Sequence, residues 1–182
     1  VRSVQSVLSR KIEELPTGYK VSLYTIELQY GGLSDPVLER CKPASTGNAA
    51  YQDAEGISQK FAEQFLAPVL NQISHLTQGE SAARSPLIEA MMDLSLLQNF
   101  SASQPNRKVL FVSDLMQHSE RLSFYRQPSI SFENAVVDSN VREIIPSLHG
   151  VQVEVAFLLR PTSESSRRTD EALAFWEQLF DR

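Results

Sequence analysis

Apolar side chains recur every three or four residues near the start of the chain, at Val4, Val7, Leu8, Ile12 and Leu15. That spacing paints one stripe on a helix over Val1–Leu15, which Pro16 and Gly18 end. KVSLYTIEL, residues 20–28, is rich in β-branched and aromatic residues and predicts a largely buried strand. Gly31 and Gly32 allow a reversal, and PVLERCKP, bracketed by Pro36 and Pro43, predicts a short antiparallel strand at a sheet edge. Residues 44–58 are small and polar, as a surface loop is. Helical spacing returns at Phe61, Phe65, Val69, Ile73 and Leu76, with Pro68 expected to kink or divide the helix.

A second polar loop, His75 to Ser85, leads into a helix over Pro86–Leu97 that carries Leu87, Met91 and Leu94 on one side, with Met91 and Met92 as core filler. In KVLFVSDLMQHS, residues 108–119, the run Val109–Val112 is apolar without alternation, the mark of a strand covered on both faces, and it stops at Asp114. Residues 115–126 then read as a helix, and a further helix is expected near Val141–Leu148 with Gly150 as its C-terminal cap. VQVEVAFLL, residues 151–159, reads as a strand with one end partly exposed, stopped by Pro161. TDEALAFWEQLF places Leu173, Trp176, Leu179 and Phe180 on one helical face, with Thr169 or Asp170 as cap. This order predicts an α/β fold: a Rossmann-like open, mostly parallel sheet with helices on both faces and one short antiparallel edge strand.

Composition narrows the function classes. The 182 residues suffice for one domain spanning residues 1–182, and 42% apolar with 21% charged residues is the balance of a soluble globular protein. The net charge of −5 and the scattered basic residues argue against nucleic-acid binding; Arg167 and Arg168 read as a solvated pair. One cysteine, Cys41, excludes an internal disulfide and is expected to be packed. No apolar run reaches the ~18 residues of a membrane span, so the segment is expected to be soluble, in the cytoplasm or the periplasm. The chain opens inside a helical pattern, so further residues are expected upstream.

Two oxygen-bearing side chains stand where ligands collect in parallel sheets: Asp114, ending the most apolar strand, and Ser85, before the helix that leads to it. Carboxylate and hydroxyl oxygens suit a hard divalent cation such as Mg²⁺. The competing reading is capping, with Ser85–Pro86 starting one helix and Asp114 the next.

Across KVSLYTIEL, PVLERC, SPLIEA, KVLFVSD, HGVQVEVAFLL and FWEQLF the chain resembles the von Willebrand factor A (integrin I-like) domain, and is similar to bacterial proteins of that type bearing SPL, VSD and FWE signatures. The resemblance implies a metal-ion-dependent adhesion site for Mg²⁺ or Mn²⁺. Ser85 matches the site's second-loop threonine and Asp114 its aspartate after the fourth strand. The family's first strand, with its Asp-x-Ser-x-Ser motif, is missing from these 182 residues and is expected upstream of Val1, the domain being truncated at its N-terminus.

Three functions follow. The first is a non-enzymatic module that captures a protein partner's acidic residue through the metal. The second is a hydrolase with Ser113 or Ser85 as nucleophile and His118 or His75 as base, although the chain has no G-x-S-x-G elbow and no nucleotide-binding glycine loop. The third is a scaffold acting through its surface alone.

Overall fold

A computed structural model describes residues 2–27, 32–47, 53–76, 83–158 and 166–181. Gly31, the middles of the two polar loops, Leu28, Leu159 and Pro161 lie outside the described residues. In chain order the elements are α1 (Arg2–Glu14), β1 (Lys20–Leu23), β2 (Ile26–Glu27), β3 (Gly32–Leu33), β4 (Leu38–Cys41), α2 (Ala54–Phe61), α3 (Ala67–Leu76), α4 (Leu87–Leu96), β5 (Lys108–Ser113), α5 (Phe132–Val137), α6 (Ser139–Arg142), β6 (Gln152–Phe157) and α7 (Ser166–Phe180). Helices thus alternate with small sheets: β1 pairs antiparallel with β4, β2 antiparallel with β3, and β5 parallel with β6. The chain divides into two compact units, one of Val1–Thr25 with Ser34–Ser81, the other of Ile26–Leu33 with Ala82–Arg182.

In the first unit the helical stripes behave as their spacing requires. Leu8 and Ile12 of α1 and Phe61, Phe65, Val69 and Ile73 are all buried, and α1 packs on α3. Pro68 does not break the helix. A π-helical turn, Ala62–Leu66, joins α2 to α3, and the Ala67 N–H reaches back five residues to the Ala62 carbonyl. Proline also strips the Gln64 carbonyl of its usual donor four residues on, and the Arg40 guanidinium supplies a replacement at 2.9 Å. The helix begins at Ala54, inside the expected loop, because the Asp53 carboxylate accepts the Gly56 N–H at 2.9 Å. The expected strand over residues 20–28 is cut at Tyr24–Thr25: there Ser34 Oγ takes the Thr25 N–H at 2.9 Å, so a side chain replaces the ladder and the run divides into β1 and β2. The edge strand is present as β4, but Cys41 at its end is exposed instead of packed.

In the second unit the β5–β6 pair runs in register from Lys108 opposite Gln152 to Ser113 opposite Phe157. Parallel strands need a crossover, provided here by the segment holding α5 and α6. Val109–Val112 are only half-buried, against the expectation of cover on both faces, since among the described residues β6 is the single strand hydrogen-bonded to β5. The helix expected near Val141–Leu148 lies earlier, as α5 and α6. Ser131 and Asp138 cap these, accepting from the Asn134 and Asn140 N–H groups, and Pro146 keeps the backbone before it out of helical geometry. α7 starts at Ser166, ahead of both expected caps, and its buried face is Ala172, Phe175, Trp176 and Leu179, rotated slightly from the predicted one. Phe124, Phe132, Phe175 and Trp176 pack edge to face, with Phe124–Phe175 centroids 4.9 Å apart at 69°. Arg168 is not a solvated arginine: its guanidinium donates to the Phe124 and Gln127 carbonyls.

Candidate functional site

The candidate site belongs to the second unit and begins where β5 ends. No helix follows Asp114. Leu115 takes a left-handed backbone with φ of +58°, a conformation costing a branched residue roughly 1–2 kcal/mol, so the surroundings must hold it. Ser113 Oγ accepts the Leu115 N–H at 3.0 Å and Asp114 Oδ1 accepts the Met116 N–H at 3.1 Å. The Leu115 carbonyl accepts the Gln117 N–H at 3.1 Å and the buried Trp176 indole N–H at 2.8 Å. With Leu115 2% and Phe124 0% exposed, burial of both ends fixes the loop where a helix over 115–126 was expected. The apolar residues of that segment are buried through a turn instead of a helical stripe. Asp114 therefore closes a tight turn and caps no helix.

Past that turn the chain doubles back. His118 exchanges two backbone hydrogen bonds with Ser85, at 2.8 and 2.9 Å, and Ser119 N–H returns to the Leu122 carbonyl at 2.9 Å. Ser85 and Asp114 are thus carried by two segments that hydrogen-bond to each other. Ser85 is not the cap of α4, which starts at Leu87 with no side-chain cap from the preceding residue. That role falls to Gln117, wholly buried, whose Oε1 accepts the Ile88 N–H at 3.0 Å. Its Nε2 donates to Glu89 at 3.0 Å, Ser119 Oγ at 3.1 Å and the Leu122 carbonyl at 3.3 Å. A wholly buried amide with every group engaged fixes the loop geometry. Glutamine at this position carried no sequence signal; Trp176, whose indole N–H must find a partner when buried, carried a faint one.

Beside this loop opens a cleft of about 630 Å³, whose lining includes Arg84, Glu89, Asp93, Glu120, Arg121 and Glu143. Arg84 and Glu120 form an exposed ion pair at 3.0 Å, and the Asp93 carboxylate accepts the Leu33 N–H at 2.9 Å. That approach is close enough that a Cβ on Gly32 would sit 2.4 Å from the same oxygen, which is why glycine stands there.

The residues proposed for hydrolysis are not assembled. His118 Nδ1 is hydrogen-bonded to Ser123 Oγ at 2.8 Å, its ring edge-on to Tyr125, and among the described residues no histidine ring is hydrogen-bonded to the Ser113 or Ser85 hydroxyl. His75 belongs to the first unit. Ser123 is buried and, like His118, lies outside the lining of the cleft, so the pair reads as a cross-strand contact.

The metal reading is tested by the donors present. A Mg²⁺ or Mn²⁺ ion needs about six oxygens, and Ser85 with Asp114 offers two side chains, one oxygen of which already holds a backbone N–H. Among the described residues no three His, Cys, Asp or Glu side chains converge as a metal cage. These residues do not by themselves fit the ion.

Compared with known proteins, the chain matches no protein-family model, no curated protein and no solved structure.

Proposed function

We propose that the chain over residues 1–182 is a non-enzymatic protein-binding or scaffold module of the von Willebrand factor A type, with the end of β5 in the second unit as its binding face, and that the open Rossmann-like sheet expected from the sequence belongs to the same reading. The observation that carries it is the contrast at the end of β5. The backbone of Leu115–Leu122 is locked by Trp176, Gln117 and Ser85, while Glu120 and Arg121, at the tip of that locked loop, are exposed. A rigid loop presenting charged side chains loses little freedom when a partner docks, which favours recognition. A catalytic cleft would need a nucleophile and base within hydrogen-bond reach, and among the described residues the lining hydroxyl, Ser119 Oγ, bonds to the Gln117 amide and the Leu122 carbonyl and to no lining carboxylate.

A photo-crosslinking residue placed at Arg121 tests this reading against one placed at Lys108, at the other end of β5. A discrete adduct formed from position 121, suppressed by excess unlabelled protein and lost on Glu120→Arg, is the expected result. Equal adducts from both positions would remove the loop from the interaction.

A divalent ion is a second reading, favoured by the Ser85–His118 pairing that links the two loops. It requires ligands beyond Ser85 and Asp114. In a chain extended upstream of Val1, millimolar Mg²⁺ or Mn²⁺ would raise the melting temperature and Asp114→Ala would abolish the rise; a flat response in the extended chain would retire the ion.

A further inference from the structure

The first unit holds a cleft of about 520 Å³ that the reading above does not use. Its accessible apolar residues include Pro43 and Ile57, with the buried Phe61 and Phe65 also in the lining, and its polar groups are Arg40, Lys60, Gln64 and the Cys41 thiol. The charge is one-sided. Neither Asp nor Glu lines it among the described residues, although the whole chain carries −5. Both neighbouring acids are engaged elsewhere: Glu39 pairs with Lys20 at 2.7 Å, and Glu63 accepts from Gln59 at 2.9 Å. Arg40 is held in place by its bond to the Gln64 carbonyl, the one that Pro68 leaves without a donor, which engages one of its five N–H groups. Lys60, an exposed residue in the last turn of α2, ion-pairs with nothing among the described residues. The volume falls in the range of small-molecule sites, roughly 300–1,000 Å³, which are typically apolar with a few placed polar groups.

We propose that this cleft binds a small organic anion with an apolar body, of the medium-chain carboxylate class. The acid head pairs with Arg40 and Lys60, and the chain lies against Pro43 and Ile57. Two cations without a lining acid disfavour a cationic guest, and the hydrocarbon wall disfavours a bare inorganic anion.

Cys41 is the only cysteine and is exposed at the cleft, so its alkylation rate by iodoacetamide reports occupancy of this place alone. Decanoate is expected to slow that rate at least about fivefold at saturation, while decanol and inorganic phosphate leave it unchanged. Lys60→Glu, at an exposed helix position and checked for folding by circular dichroism, is expected to weaken decanoate protection roughly tenfold, the loss of one charge-assisted contact. An unchanged rate in decanoate would overturn the proposal. So would equal protection by decanol, which makes the site merely apolar; protection by phosphate, which makes it a plain anion site; or full protection of the Lys60→Glu protein.

Discussion

In each unit a buried polar side chain ties the end of a helix to distant backbone, Lys42 in the first and Gln117 in the second, and the two differ in charge as the helix ends they serve differ in sign. In the first unit Lys42, 3% exposed, donates to the Glu13 carbonyl at 2.6 Å and to the Leu15 carbonyl, at the C-terminal end of α1, with its ammonium 5.5 Å from the Phe61 ring centre. In the second, Gln117 offers an oxygen to the N-terminal end of α4. Helix ends carry partial charges of about half a unit, negative at the carbonyl end and positive at the amide end, so a cation and a carbonyl oxygen each suit their place. The cost differs. Burial pushes the Lys42 pKa below the ordinary lysine range, with the nearby Glu13 carboxylate pulling the other way, whereas the amide of Gln117 incurs no charge desolvation. The charged tie is therefore the weaker and pH-dependent one, and the neutral tie the stronger.

Replacing Gln117 with leucine, close in size, tests the stronger tie. It leaves the Ile88 N–H and the Glu89 carboxylate without the partner each now has, and an expected loss of about 3 kcal/mol should appear as a lower urea midpoint at unchanged slope. Gln117→Glu sharpens the comparison: it keeps an acceptor for Ile88 but sets a second carboxylate against Glu89, so it should be as damaging at neutral pH and milder in acid. If Gln117→Leu costs less than Lys42→Met, the comparison is broken. Trp176→Phe comes next, at about 1–2 kcal/mol, for it removes only one of the two donors to the Leu115 carbonyl and part of an aromatic cluster.

The ties themselves were the part of the molecule least visible in the sequence. Stripes at fixed spacing were legible: Leu8 with Ile12, Phe61 through Ile73, and Trp176 with Leu179 are buried as their periodicity implies. Edge and parallel strands were legible as β4, β5 and β6, because proline brackets and apolar runs are local signals. What failed were the places where a distant side chain overrides local preference. Ser85–Pro86 has the form of a helix start, yet Gln117, 29 residues away, takes the Ile88 N–H. Pro68 has the form of a break, yet a π turn and Arg40 absorb it. Residues 115–126 have helical composition, yet Trp176 and the burial of Leu115 hold a left-handed turn there. The cleft was hidden for the same reason: Asp114 and Ser85, singled out in the sequence, do not line it, and the acids Glu89, Asp93 and Glu143 that do look like any solvated residues until the chain folds.

Lys42→Met tests the charged tie. It removes two hydrogen bonds to carbonyls but also a desolvated charge, so the net loss at pH 7 should be about 1 kcal/mol or less. The pH dependence gives the sign. Lys42 has a folded pKa below the unfolded value of about 10.4, so the unfolded chain holds the extra proton between those values, and folded stability rises with pH across that window. The gap between wild type and Lys42→Met should therefore widen as pH climbs through the alkaline range toward 10, read as diverging urea midpoints. A constant gap would mean that the ammonium is as well solvated in the fold as out of it.

A surface charge pair supplies the contrast that isolates burial as the cause. On the β1–β4 ladder Glu39 faces Ser22 across the strands, accepting its hydroxyl at 3.0 Å and the Lys20 ammonium at 2.7 Å, and these bonds, Lys20 foremost, hold its carboxyl below the usual glutamate range. The sign is that of a depressed acid. The contribution is present above the ordinary value of about 4.3 and is lost as pH falls through the lower folded one. Glu39→Gln should cost a small amount of stability at pH 7, a difference that closes as pH falls below 5, and 1 M salt should shrink it too, since an exposed pair is screened. Lys42→Met should be insensitive to the same salt, its ammonium being shielded from counterions by Phe61 and the end of α1. If both variants respond alike to salt, then Lys42 is as accessible as Glu39, and burial is not what separates the charged tie from the neutral one.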